Sequence, residues 1–375
     1  MTPAELIGLT AELIEAPSAP EHEEHDVAIR IADILQREGI RVWIDHSAEG
    51  RPNVLALIEG EAGGKTLLFN GHTDVVPAGD GWTKDPWKAR QENGRLYGRG
   101  ACDMKGGLAA MMAAAIRLQR MNCPFRGRLA LLFNADEERS NIGIKHFIKN
   151  PLYADYVIVG EPTALRPCIG HRGNGRIRIS TAGEAGHCAV VERPDNALYK
   201  LARIITALEN HAKTVRNRTS EVGNGSLTVT MAGSGSAPNI VPDHAWLELD
   251  RRILPGETKE SMLEEIQMWA EQAAGEKIAP DCYLYFPAHS IHKDHPLVNA
   301  ACSSVRQVTG HTVIPQLFSA STEAPFFSVD LGYPTLILGP GSLEQAHRPD
   351  EFLQIEQLVQ ASEIYQNMVM TLLER

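Results

Sequence analysis

Five side chains that can bind a divalent cation fall where the chain ends an apolar run or breaks into a glycine-rich loop. The run Leu67–Asn70 leads into Gly71-His72-Thr73-Asp74, and Leu129–Asn134 leads into Ala135-Asp136-Glu137-Glu138. Tyr156–Gly160 leads into Glu161-Pro162, and Leu336–Leu338 into Gly339-Pro340-Gly341 and then His347. Asp103 sits in the loop Gly98–Gly107, just ahead of an alanine-, leucine- and methionine-rich stretch. Open α/β sheets bind their ligands outside the carboxyl ends of their strands, so these positions can converge. A mixed nitrogen and oxygen donor set suits Zn2+, and also Co2+ or Mn2+. One carboxylate bridging two cations, with a histidine and a carboxylate completing each, uses all five residues: His72, Asp103, Glu138, Glu161 and His347. Such cation pairs lie about 3.5–4 Å apart and acidify a water enough to attack a carbonyl near neutral pH. Glu137 is then left over as a general base. Asp74, two residues past His72, is placed to accept the second imidazole N–H and fix the tautomer.

Each residue also has a plainer role. His72 alone reads as a hydrogen-bonded core histidine, and Glu137-Glu138 as a helix start where carboxylates offset the dipole. Glu161 reads as a turn residue before Pro162, and Asp103 as a helix N-cap. All four plain readings must hold together to remove the metal site. The loop Gly98–Gly107 lacks the GxxxxGK[ST] pattern of a phosphate loop. His289, His292 and His295 have helical metal-face spacing, but Lys293, Asp294 and Pro296 interrupt any apolar scaffold, and a surface hinge fits them better.

The elements that must position these residues follow from periodicity. Leu6, Leu9 and Leu13 form one helical stripe in Glu5–Glu15, and Val27, Ile31, Ile34 and Leu35 form another that Gly39 ends. Strands are expected at 40–44, 54–58, 65–70, 128–134 and 156–160, with helices at 104–120 and 142–149. This alternation predicts an α/β sandwich around a largely parallel sheet. The middle changes character: strand 175–181, helix 196–211, strands 226–232 and 245–251, helix 257–274 and strand 282–286. That order predicts a small α+β domain inserted into the larger one. The α/β pattern returns after Pro296 with helix 297–308, strand 335–338 and helix 354–373. The expected division is 1–174, 175–288 and 289–375.

The 375 residues correspond to roughly two domains. With 36 basic and 47 acidic residues the formal charge is −11, which excludes a general nucleic-acid or anionic-membrane binder. The longest apolar stretch, Leu108–Ile116, is too short to cross a bilayer. The first residues, Met1-Thr2-Pro3-Ala4-Glu5-Leu6, carry no basic segment of an export signal. The six cysteines form no CxxC pair, so a reduced cytoplasm is the expected location.

The segments Gly71–Pro77, Gly98–Gly107, Asp136-Glu137-Glu138 and Gly160-Glu161-Pro162 resemble, in order and along nearly the whole chain, the dinuclear-zinc deacylases and exopeptidases. The resemblance implies a three-layer zinc-exopeptidase-like catalytic domain with an inserted α+β lid and dimerisation domain. It implies two zinc ions, one on His72 and Glu161, the other on Glu138 and His347, with Asp103 bridging and a cis peptide after it. Glu137 becomes the acid and base, and Asp74 the partner behind His72. Gly186-His187 resembles the lid histidine that stabilises the oxyanion in the partner subunit's active site, which implies a homodimer. Ala237–Pro242 and Asp250-Arg251-Arg252 resemble the segments supplying an amide, Asn239, and a carboxylate-binding arginine, Arg252. The tail Ser321-Thr322-Glu323-Ala324-Pro325 adds Thr322 and Glu323 as substrate contacts; a side-chain ammonium needs an acceptor, which is assigned to Glu323, the alternative being that Glu323 merely caps the following segment. The implied reaction removes the acyl group from an N-acyl amino acid, N-acetylornithine first, with N-succinyl-diaminopimelate or a dipeptide as alternatives. A catalytically silent binding module is the reading from a different class. The sequence departs from the family's usual pattern at Asn134, Arg139-Ser140-Asn141 and Cys188.

Overall fold

The strands that carry the candidate ligands lie side by side in a single sheet in the computed structural model, which describes residues 1–48, 50–190 and 195–374. Helix α1 (Pro3–Ile14) starts at a capping box, in which Thr2 and Glu5 satisfy each other's backbone N–H. It is followed by α2 (His25–Arg37), β1 (Arg41–Ala48), β2 (Arg51–Glu59) and β3 (Glu61–His72). Next come α3 (Gly106–Arg120), β4 (Arg126–Asn134), α4 (Ile142–Phe147) and β5 (Tyr156–Val159).

The chain then builds a four-stranded antiparallel sheet from β6 (Gly173–Ala182), β7 (Ser226–Ser234), β8 (His244–Ile253) and β9 (Asp281–Phe286), in the order β7-β8-β6-β9. Helices α5 (Ala197–Arg216) and α6 (Lys259–Ala274) belong with this sheet. Asn196 caps α5 through the N–H groups of Leu198 and Tyr199. The alternating burial of β8 gives one apolar face, where Leu247 and Leu249 join Ile177, Ile179, Leu201, Ile204, Leu208 and Ile266 in a second core. After this sheet the chain adds α7 (Pro296–Thr309), β10 (Thr335–Ile337) and α8 (Ile355–Leu372).

The sheet order in the first core is β1-β2-β4-β3-β5-β10. Strands β4, β3, β5 and β10 run parallel, aligning Leu67 with Leu129 and with Tyr156, and Ile158 with Leu336. Leu67, Leu68 and Phe69 have no solvent exposure, so both faces of the sheet are covered, as parallel strands require. The expected largely parallel sheet is in fact mixed, because β1 and β2 join it antiparallel. Only two residues separate Ala48 from Arg51 in the sequence, and a connection that short cannot make a parallel crossover.

The chain forms two compact units. One contains Met1–Ile169, Ile291–Phe318 and the chain from Thr322 onward; the other contains Gly170–Ser290 with Ser319–Ser321. The junctions fall at 170 and 290, not at 175 and 288, because Gly170–His171 pairs with His289–Ser290, which keeps both short strands in the second unit. The three histidines after Ala288 share no helix face: His289 lies in that short strand pair, His292 is exposed, and His295 caps α7.

Helix α3 starts at Gly106 instead of Met104, because residues 101–105 wind as a wider turn with non-helical backbone at Asp103 and Met104. Its cap is Lys105, so Asp103 is not spent as an N-cap. The helix start packs directly on the ends of the ligand-bearing strands. A Cβ on Gly107 would stand 2.4 Å from the Gly160 carbonyl, and one on Gly339 would stand 2.2 Å from it. Gly107→Ala is therefore expected to lower stability by about 1–3 kcal/mol, the usual cost of forcing one methyl into a filled core. The midpoint of chemical denaturation measures this.

Candidate metal centre

His72 is the last residue of β3, and its neighbour Thr73 is pinned by its backbone N–H to the Asn134 carbonyl at 2.8 Å. The imidazole Nε2 lies 3.2 Å from Asp103 Oδ1 and 3.9 Å from Glu161 Oε1. His347 Nε2 lies 3.0 Å from Glu138 Oε1 and 3.4 Å from Asp103 Oδ2. Asp103 thus turns one oxygen to each histidine. Donors around a tetrahedral zinc, each at about 2.0–2.1 Å, are about 3.3 Å from one another, so the spacing fits a cation in each half. Donor atoms of His72, Asp103 and Glu138 all fall within 4.8 Å of one another. The Asp103–Met104 peptide is cis.

The two halves differ in exposure. His72, Asp103 and Glu161 are buried, whereas the His347 side chain is half exposed. His347 and Asp136, the residue before Glu137, both hold positive φ (62° and 65°), an uncommon backbone for residues with a Cβ.

Burial raises the carboxyl pKa of Glu161 and Glu137 well above the ordinary value, with His72 pulling the other way. Glu138 is raised for the same reason, offset by its hydrogen bond to His347. Burial also works against a charged His72, but the hydrogen bond to Asp103 and the charge of Glu161 outweigh it and hold His72 well above the usual range. Hydrogen bonds to Asp103 and Glu138 push His347 up to about 10. Asp103 is held low by both histidines against its burial. A desolvated cleft with this many carboxylates calls for positive charge, and the oxygen and imidazole donors match divalent zinc, cobalt or manganese.

Asp74 acts differently from the sequence reading. His72 Nδ1 meets the Asp74 backbone carbonyl at 2.9 Å, while the carboxylate stands 3.7 Å away. The carboxylate instead accepts the backbone N–H groups of Glu137 and Glu138, each at 3.0 Å. Main-chain geometry sets this: the carbonyl lies closer to the ring, leaving the carboxylate free to hold the turn after β4. Arg51, paired with Glu24 and 3.2 Å from Asp136, braces the same turn. Beside Glu138 a cavity of about 240 Å3 opens, lined by Pro20, Arg51, Asp74, Val76, Pro77 and Arg139 among others.

Thr322 and Glu323 are both buried in the same unit. The Thr322 hydroxyl accepts the Ala324 N–H at 3.1 Å. Among the described residues neither Glu323 carboxyl oxygen has a hydrogen-bond partner at normal distance, and burial pushes that carboxyl up to about 8, with His72 and Asn70 pulling the other way.

The remaining candidates belong to the other unit. His187 and Asn239 are exposed neighbours, since Gly186–His187 pairs with Ile240–Val241. His187 Nδ1 accepts the Ala189 N–H at 3.1 Å. Arg252 is half-buried near the end of β8 and donates to Asp250 at 3.1 Å. Its neighbour Arg251 is fully buried against Glu257.

Sequence reasoning missed the braces around the ligands: the Arg51–Glu24 pair, the Arg99–Glu351 pair and the hydrogen bond from the Asn70 amide to the Asn134 amide oxygen. Arg99 and Glu351 are 252 residues apart, and no local pattern links them.

A family model described as Peptidase family M20/M25/M40 matches residues 68–371. The acetylornithine deacetylase of Aliivibrio salmonicida is 33% identical over 355 residues, covering 92% of this chain and 90% of that protein. The acetylornithine deacetylase of Vibrio cholerae is 31% identical over 346 residues, covering 88% and 87%. Among solved structures, the aminopeptidase PepT of Bacillus cereus superposes with a TM-score of 0.83 at 19% identity, over 99% of both chains. A dinuclear metal binding peptidase of Bacillus subtilis superposes with a TM-score of 0.75 at 19% identity, over 99% and 98%. The chain belongs to peptidase family M20/M25/M40.

Proposed function

We propose that this protein is a two-metal amidohydrolase that removes the acyl group from an N-acyl amino acid, with N-acetylornithine the first substrate. Family membership and the deacetylase relatives support a metal-dependent hydrolase of N-acyl amino acids or peptides. The observation that carries the finer reading is Asp103, whose two oxygens face two different histidines at 3.2 and 3.4 Å. His72 and Glu161 would hold one cation, Glu138 and His347 the other, with Asp103 shared. Bound there, two zinc ions (or cobalt or manganese) would polarise the scissile carbonyl and acidify a water.

The chain's own residues do the rest. Glu137, held in place through its N–H by Asp74, takes the proton of the attacking water and passes it to the leaving amine. His187 donates to the carbonyl oxygen as negative charge develops, from the same chain or from a partner in a homodimer built through the inserted unit. Arg252 grips the α-carboxylate with its planar fork, and Asn239 adds an amide contact. Glu323, oriented beside Thr322, meets the substrate's side-chain ammonium, which would supply the partner its buried oxygens lack. One observation favours a second substrate class bearing an extra carboxylate, such as an N-succinyl amino acid. Arg139 lines the cavity beside Glu138 and has no ion pair among the described residues.

Reconstituted with zinc, the chain is expected to hold two equivalents by elemental analysis, and Asp103→Ala at most one tightly. The carboxylates around His72 and His347 raise both histidines and so favour their protonated forms, and each must lose its proton to ligate. Metal uptake should therefore release protons, and affinity should rise as pH climbs toward 10. Calorimetry in buffers of different ionisation heat counts those protons.

Glu137→Gln should keep both metals and lose about 10²–10⁴ in kcat, the usual scale of lost acid–base catalysis. Full turnover on N-acetylornithine by this variant would reject the assignment.

Glu323→Gln should lower kcat/KM for N-acetylornithine by about tenfold or more, the scale of one lost ion pair, while changing it little for neutral N-acetyl amino acids. An equal fall on both substrates would make Glu323 a structural residue.

A further inference from the structure

We propose that Glu351, paired with Arg99, is a positioning residue that sets the orientation of the Asp103 carboxylate and thereby the affinity of the metal centre. This rests on the two-metal reading above. Glu351 is nearly without solvent exposure, and its two oxygens collect four donors. Oε1 accepts the backbone N–H of Cys102 at 2.8 Å and of Asp103 at 3.0 Å. Oε2 accepts the Gly100 N–H at 3.1 Å and Arg99 Nη1 at 2.6 Å. The Glu351 backbone carbonyl takes the Gly98 N–H at 3.0 Å. The whole non-helical approach to Asp103 is therefore hung on one side chain.

Arg99 extends the brace to the two histidine segments. Its Nη2 donates to the carbonyls of Pro77 at 3.2 Å and Ala78 at 3.0 Å, on the segment that follows His72 and Asp74. Its Nη1 also donates to the Arg348 carbonyl at 3.3 Å, one residue past His347. Its guanidinium stacks over Trp82 at 5.1 Å. One buried ion pair thus joins the segments carrying His72, Asp103 and His347, whose donor atoms stand 3.2–3.4 Å apart across Asp103. Neither residue touches a donor atom of the centre. Their effect passes through the backbone of residues 98–103 and through the carbonyls at 77, 78 and 348.

A buried ion pair could serve folding alone, and the two roles separate on metal binding. The full-length chain is stripped of metal and titrated with Co2+, reading bound equivalents and the visible absorption of the cobalt. Glu351→Gln keeps the shape but replaces two charged acceptors with one neutral oxygen and an amide. Glu351→Asp keeps the charge beside Arg99 but is too short to reach all four donors. Arg99→Lys keeps a buried cation but loses the fork that spans Pro77, Ala78 and Arg348. For each variant the folded monodisperse fraction is taken from gel filtration and its far-ultraviolet circular dichroism checked. Cobalt affinity is expected to fall 10–100-fold, the usual effect of disturbing groups behind metal ligands, with a shifted absorption band. Wild-type affinity and spectrum in any folded variant would overturn the proposal and leave the pair structural. If the wild-type chain itself takes up no cobalt, the two-metal reading fails first, and this proposal with it.

Discussion

Like charges repel most where water is excluded, and that repulsion is the constraint under which this fold is built. Asp74, Asp103, Glu161 and Glu323 are buried in one unit, with Glu137 and Glu138 half-buried beside them and His72 and His347 among them. Each uncompensated carboxylate in such a place costs several kcal/mol or takes up a proton. The raised pKa values of Glu137, Glu138, Glu161 and Glu323 express that cost. A chain keeps such a cluster only where something positive is brought to it. Divalent cations and a charged substrate both answer that need.

The surrounding structure holds the cluster open against its own repulsion. Parallel strands β3, β4, β5 and β10 end at one edge of the sheet, which delivers the ligand segments without any of them crossing another. Close approach there depends on glycines, since Gly107 and Gly339 leave room for the Gly160 carbonyl where any Cβ would collide. Two carboxylates outside the donor set then pin the loops by their backbone. Asp74 takes the N–H groups of Glu137 and Glu138, and Glu351 takes those of Gly100, Cys102 and Asp103. A negative side chain holding backbone N–H groups makes charge-assisted bonds stronger than neutral ones, so the ligand loops are fixed by strong contacts.

The second unit has a core of its own, separate from the first, around β6, β8, α5 and α6. It supplies none of the five candidate ligands. It does present His187 and Asn239 on an exposed corner. The candidate metal ligands and the groups proposed to work on the substrate therefore belong to different compact units.

Periodicity and motif spacing were enough to read the α/β class, the inserted α+β segment and the five side chains that come together, because each is a local signal. A strand that ends in His72 or Glu161 announces itself within a few residues. The antiparallel edge formed by β1 and β2 was not legible as such, since the pattern of a strand says nothing of its partner's direction. The task of Asp74 was misread for a related reason: its carbonyl and carboxylate compete for the same imidazole, and only the folded backbone decides which is nearer. Arg99 and Glu351 carry no readable sign of their partnership, because an ion pair across 252 residues exists only once the chain has closed. The sequence by itself determined which chemical groups the protein has and which strand ends carry them. Only the tertiary structure decided which oxygen faces which histidine, because that depends on backbone positions set by contacts far apart in the chain.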